Sequence, residues 1–156
     1  PVIGFGQTGR YDRERWALLR VVEELAEHTR DVDLHVLVLA RDLSSGWHYL
    51  QIATVLRDAG RSEEALQWVA RGLAATGGRG AAGRLVDLAV DECLRAGSPE
   101  RAVGWRREAF LASPSPEHYA RLRGLATAHG LWPDVRDEVL ASVADAELRD
   151  QLARQG

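Results

Sequence analysis

Chemistry in this chain could come from three places: the glycines of Gly4-x-Gly6-x-x-Gly9, the histidines His28, His35, His48, His118 and His129, and the single cysteine, Cys93. A G-x-G-x-x-G run that opens a helix can bring backbone N–H groups against a pyrophosphate. Here the strand before it would be about three residues long, and no alternation of strand and helix follows, so the dinucleotide fold that gives the motif its meaning is missing. The segment reads instead as a flexible N-terminal tail. The histidines form no H-E-x-x-H and no pair at i, i+4, and their closest spacings, seven and eleven residues, carry no interleaved ligands. They read as surface or partly packed side chains. No serine stands in G-x-S-x-G. Cys93 falls on the apolar face of a helical pattern, where a cysteine is a small core residue; being alone, it rules out an internal disulfide and a cysteine-based zinc site within these residues. No catalytic, cofactor-binding or metal residue is assigned, and the expectation is a protein that is not an enzyme and binds neither zinc nor NAD.

Length, composition and charge bound the class of protein. Its 156 residues, 46% apolar and 28% charged, have the composition of one soluble domain. The net charge is -3, and in no quarter of the chain do arginines exceed carboxylates by more than one. A nucleic-acid binder concentrates positive charge on one region, so direct contact with nucleic acid is not expected. No apolar run reaches the length of a membrane span. A reducing cytoplasm is the expected compartment. All 20 basic residues are arginine and methionine is absent, which suggests a segment of a longer protein from a GC-rich bacterial genome.

Helical periodicity runs from Tyr11 onward. Trp16, Leu19, Val22, Leu25 and Ala26 recur at spacings of three and four and predict a helix over 12–28. Asp31 is a candidate cap for a second helix over 31–43, with Val32, Val36, Leu39 and Leu43 on one face. Ser44 or Ser45 would cap a helix from Gly46 to Ala59, and Ser62 one that runs to about Ala75. Thr76 to Gly80 is a linker. Helices follow around Leu85–Leu94, after Ser98-Pro99, over 117–129 and 132–141, and from Ala144 to Ala153 with Asp145 as cap.

Three stretches then repeat one design: Gly60 to Ala65, Gly97 to Ala102 and Gly130 to Val135, each a turn glycine five residues ahead of a small apolar residue. The glycines stand 37 and 33 residues apart, near the ~34-residue period of helix-turn-helix repeats. In that register Tyr49, Val86 and Tyr119 correspond, and Ala65, Ala102 and Val135 sit where the two helices of a hairpin cross, a place that wants small side chains. Trp68 and Trp105 also correspond, as fillers between hairpins. The third unit departs from the others, with Arg123 where Ala53 and Val90 stand, as terminal repeats often do.

These motifs resemble tetratricopeptide repeats. Over about 31–140, Asp31 to Leu34, Leu39 to Ser45, Tyr49 to Arg61 and Glu64 to Leu73 also resemble the helical C-terminal region of bacterial SWIM zinc finger proteins. That resemblance implies a parent protein acting on nucleic acid through a zinc finger outside these residues. The family's Cys-x-Cys and Cys-x-His ligands have no counterpart here, so none is carried over.

The expected fold is therefore all-α: a tetratricopeptide-like, right-handed array of antiparallel hairpins with eight to nine helices. It would form one domain over 11–156 behind a flexible segment 1–10. The expected function is a non-catalytic scaffold that holds a protein or peptide partner in its concave groove. Trp16, Trp68, Trp105 and Trp132 lie in amphipathic helices and are expected in the core. Trp47, in the first turn of a first helix, is the candidate aromatic anchor. Arg57, Arg84, Asp87, Asp91 and Arg95 occupy comparable concave positions and complete the predicted partner-binding set.

Overall fold

The computed structural model describes residues 10–156, and for Arg10, Tyr11, Asp12, Leu25 and Ala26 the backbone alone. The expected tail and its Gly4-Gly6-Gly9 motif lie outside the described residues, apart from Arg10, which opens the first helix. Among the described residues the regular structure is eight α-helices: α1 (Arg10–Leu39), α2 (Gly46–Asp58), α3 (Ser62–Thr76), α4 (Ala82–Arg95), α5 (Pro99–Ala112), α6 (Pro116–Ala128), α7 (Trp132–Ala141) and α8 (Ala146–Arg154). Each packs on its neighbours in sequence, and α2 also touches α4 while α6 touches α8.

The three turns that the glycines mark are one turn made three times. Gly60, Gly97 and Gly130 take φ of 77°, 75° and 70°, the left-handed region that costs a side chain energy and glycine nothing. The next N–H then reaches back five residues: Arg61 N to Leu56 O at 2.9 Å, Ser98 N to Cys93 O at 2.8 Å, and Leu131 N to Ala126 O at 2.8 Å. This bond closes the orphan carbonyls of α2, α4 and α6 and sets the chain for the returning helix.

Helix starts are less uniform than expected. Ser115 Oγ accepts from His118 N at 3.1 Å and Asp145 from Leu148 N at 3.0 Å, so both cap their helices. Ser62 does not cap α3: Arg61 holds the cap position, and the Ser62 hydroxyl donates to Glu92 at 2.7 Å. Ser45 and Ser98 hold cap positions without a side-chain cap bond.

The hairpins enclose two adjoining cores. The first is aliphatic and small: Ile52, Ala53 and Leu56 from α2, Ala65 and Val69 from α3, and Leu85, Val86, Ala89 and Cys93 from α4, with Ala102 from α5. Ala65 and Ala102 are completely buried and Val135 is buried, as the register requires. Gly72 of α3 belongs to the same contact, since a Cβ there would stand 2.8 Å from both Tyr49 Cβ and Leu85 Cδ1. The second core is aromatic. Tyr119 lies 6.0 Å from Phe110 and edge-on to Trp132 at 5.3 Å between ring centroids, with Leu122, Val139 and Leu152 around them. Arg123 is exposed, which is how the third unit accommodates an arginine at a position its forerunners fill with Ala53 and Val90.

The N-terminal region differs from the expected hairpin. Instead of two helices over 12–28 and 31–43, α1 is one helix of 30 residues that ends at Leu39. Asp31 is an interior helical residue, because no glycine or proline between His28 and Asp31 breaks the backbone hydrogen bonding. The face of Val32, Val36 and Leu39, continued by Ala40 and Leu43 in the loop, packs on the first core. Trp16, expected in the core, is 64% exposed, since no described element lies over the first half of α1.

Candidate functional site

The predicted binding residues divide by what they touch. Trp47 is 55% exposed in the first turn of α2. Arg84 and Asp91 are exposed on α4, each one turn from Asp87 on the same stripe. The others are engaged within the chain. Asp87 accepts from Arg106 of α5 at 2.8 Å, and that guanidinium is mostly buried, so Asp87 ties its own hairpin together. Arg57 pairs with the adjacent Asp58 at 3.1 Å. Arg95 donates at 2.7 Å to Glu92, a carboxylate only 3% exposed that also takes the Ser62 hydroxyl. Burying a carboxylate is costly unless it is paired and hydrogen-bonded. Glu92 meets both conditions, and in doing so ties α3 to α4.

A concave site appears on a neighbouring surface instead. Where the loop after α1 meets the start of α2 and the last turns of α3, Leu43, Tyr49, Trp68, Arg71, Ala74 and Ala75 line an open cleft of about 580 Å³. It continues past Leu43, Tyr49 and Ala75 into a smaller hollow bounded by Ser44, Ser45, Gly46, Thr76, Arg79 and Gly80. Gly46 makes this junction possible, because a Cβ there would meet Thr76 Cγ2 at 2.5 Å. Tyr49 and Trp68 are tilted neighbours at 6.1 Å, and the Arg71 guanidinium lies 4.6 Å from the centre of the Trp68 ring. A cation over an indole face is held by the ring quadrupole, so Arg71 sits on a platform with its remaining donors toward solvent. Among the described residues the cleft has two arginines, Arg71 and Arg79, and no lining carboxylate.

Sequence reasoning gave Tyr49 only a place in the repeat register, put Trp68 in the core and passed over Arg71. The available signal was Arg71 three residues after Trp68, on the same helical face.

Beside the cleft, Ser45 Oγ lies 3.3 Å from His48 Nδ1, and His48 Nε2 lies 3.6 Å from Asp42. The trio has the composition of a hydrolytic triad without its geometry. A triad needs the carboxylate within hydrogen-bonding range of the ring and buried beside it. Asp42 is exposed, and its better bond is to the Ser44 N–H at 3.0 Å; the hydrogen bonds from Ser44 hold its carboxyl below the ordinary value. The cluster orders the loop between α1 and α2.

Cys93 is buried in the first core as expected, and burial raises its thiol pKa, away from the reactive thiolate. Among the described residues no three histidine, cysteine, aspartate or glutamate side chains converge on a point where a metal could sit. No described helix is long and apolar enough to cross a membrane. No protein-family model, curated protein or solved structure matches this chain.

Proposed function

We propose that this chain is a non-catalytic, tetratricopeptide-like scaffold that holds a protein or peptide partner, and that the partner's main foothold is the Tyr49–Trp68–Arg71 cleft. The observation that carries the reading is the open cleft itself: an apolar floor with a guanidinium stacked on its indole wall, on the rim of a packed helical array. Such a floor takes one apolar side chain, and Arg71 and Arg79 favour a neighbouring carboxylate on the same peptide. Aromatic and arginine anchors of this kind dominate binding energy at interfaces. Trp47, exposed two residues before Tyr49 of the cleft wall, would extend the footprint onto the first-helix face with Arg84.

A random-peptide display selection against the chain tests this, with affinities of the selected peptides read by fluorescence anisotropy. Enriched peptides should carry an apolar residue beside an acidic one, and Arg71→Glu should weaken them at least tenfold with the melting temperature unchanged. Trp47→Ala combined with Arg84→Ala should weaken them less. Peptides indifferent to Arg71→Glu but lost with the Trp47 and Arg84 pair would move the site to the first-helix face. Indifference to all three changes would sink the proposal.

A further inference from the structure

We infer that the partner held in the Tyr49–Trp68–Arg71 cleft is a phosphorylated peptide, whose phosphate enters the smaller hollow beside Arg79. The inference rests on the reading above and adds the chemistry of the partner. It starts from two arginines that the fold leaves uncompensated. Arg61, Arg95, Arg101 and Arg106 are each paired with a carboxylate of the chain, while Arg71 and Arg79 have no ion pair among the described residues.

Both guanidinium groups belong to one concave surface. The cleft of about 580 Å³ and the hollow of about 200 Å³ share Leu43, Tyr49 and Ala75 as walls, so a group in one lies next to a group in the other. Arg71 is held over the Trp68 ring, and Arg79 stands exposed in the linker between α3 and α4. The elements around the hollow add no opposing charge to its lining. α2 begins in it at Gly46, and Ala81, just ahead of α4, stands against Gly46; neither helix has an acidic residue in its first turn, whereas α3 and α5 to α8 each do. Asp42 lies outside the lining, engaged by the Ser44 N–H and beside His48.

The charge to be matched selects the ligand. A side-chain carboxylate carries one charge and satisfies one guanidinium. A phosphomonoester carries about −1.5 to −2 at pH 7 and three acceptor oxygens, enough for Arg71 and Arg79 together, and arginine binds phosphate through two parallel hydrogen bonds. The apolar floor formed by Tyr49 and Trp68 then takes a side chain from a residue within about two positions of the phosphate, since successive Cα atoms stand only ~3.8 Å apart. Phosphorylation of the partner thereby becomes the signal for docking.

Degenerate peptide libraries with one fixed central residue, either phosphoserine, glutamate or serine, are the test, with affinities of the retained sequences read by fluorescence anisotropy. Phosphoserine peptides should bind at least about tenfold tighter than their glutamate counterparts, as expected for a doubly charged acceptor facing two arginines, and should carry an apolar residue within two positions. Arg79→Gln should remove most of that preference with the melting temperature unchanged, because the side chain is exposed. Arg79→Lys should keep part of it, and Arg149→Gln, which removes an exposed arginine from α8, should change nothing. Phosphoserine peptides that bind no tighter than glutamate ones, a preference that survives Arg79→Gln, or one lost equally with Arg149→Gln would each overturn the inference. In those cases glutamate peptides that still bind, and are lost with Arg71→Glu, would leave the scaffold reading standing without it. A chain that retains none of the three libraries would overturn both.

Discussion

α1 and α4 carry the same kind of apolar stripe and use it differently. In α4, Leu85, Leu88, Ala89 and Cys93 recur at helical spacing and all are buried, clasped by α3 on one side and α5 on the other. In α1 the stripe is equally regular, yet only its second half meets the array, and Leu18, Val21 and Val22 face water. Covering a leucine or valine side chain is worth about 1.5–3 kcal/mol. In α4 that energy is already spent on the fold; in the first half of α1 the single copy does not realise it. Hydrophobic periodicity thus identifies a face that excludes water without saying whether its partner lies in the same chain.

The largest effect expected from this contrast is a pair of matched truncations. Leu85→Ala opens a cavity in a fully buried site and should cost about 2–5 kcal/mol, whereas Leu18→Ala should stay within about 0.5 kcal/mol, as for an exposed position, when measured by urea unfolding at a concentration where the chain is monomeric. Equal losses would mean that α1 is covered in the monomer. Overpacking probes the same core from the other direction. Ala65→Trp and Ala102→Trp should each destabilise by more than the ~1–3 kcal/mol of an ordinary overpacked site, and unchanged melts would break the register that aligns the hairpins.

Glycines inside helices give a smaller contrast. Gly72→Ala pushes a Cβ to 2.8 Å from Tyr49 Cβ and Leu85 Cδ1, and should cost about 1–3 kcal/mol while widening the wall of the cleft. Gly124→Ala, with nothing within 4 Å of the added atom, should raise stability by about 0.5–1 kcal/mol through helix propensity alone. Thermal melts of the two variants moving in the same direction would contradict the close packing of α3 between α2 and α4.

These contrasts also mark what could be read from the sequence. Helices α2 to α8 were legible because their boundaries are written in local chemistry: Gly60, Gly97 and Gly130 at the left-handed turns, proline at the first turns of α5, α6 and α7, and Asp145 ahead of α8. Burial of Ala65 and Ala102 followed from the register, and that of Cys93 from its place on the apolar face of its helix. Asp31 misled because a residue able to cap a helix is equally tolerated on an exposed helical face, and only a glycine or proline would have forced a break. Trp16 misled because its spacing to Leu19 mimics a buried stripe. The cleft was illegible for a different reason. It arises where three separate segments, around Leu43, Tyr49 and Arg71, come together, and periodicity within each one says nothing about the space left between them.

The smallest expected effect concerns the ion pairs that tie successive hairpins. Arg61 of the turn after α2 bonds Asp33 of α1 as well as Glu64, fastening the covered half of α1 to the array. Arg101 at the start of α5 reaches Glu63 at the start of α3 at 2.8 Å, making the corresponding tie one hairpin later. The hydrogen bond and charge of Arg101 hold the Glu63 carboxyl below its ordinary value. A lowered folded-state value means the tie adds stability at pH above the ordinary glutamate range and loses it as pH falls through the lowered one. Because both side chains are exposed, the contribution is modest and screened by salt. Unfolding midpoints collected from pH 7 down to pH 3 at low ionic strength should therefore fall less steeply for Glu63→Gln than for the native chain, with the difference fading in 1 M salt. Identical acid limbs would mean that the hairpins are joined by their buried contacts alone and that Glu63 and Arg101 meet without consequence.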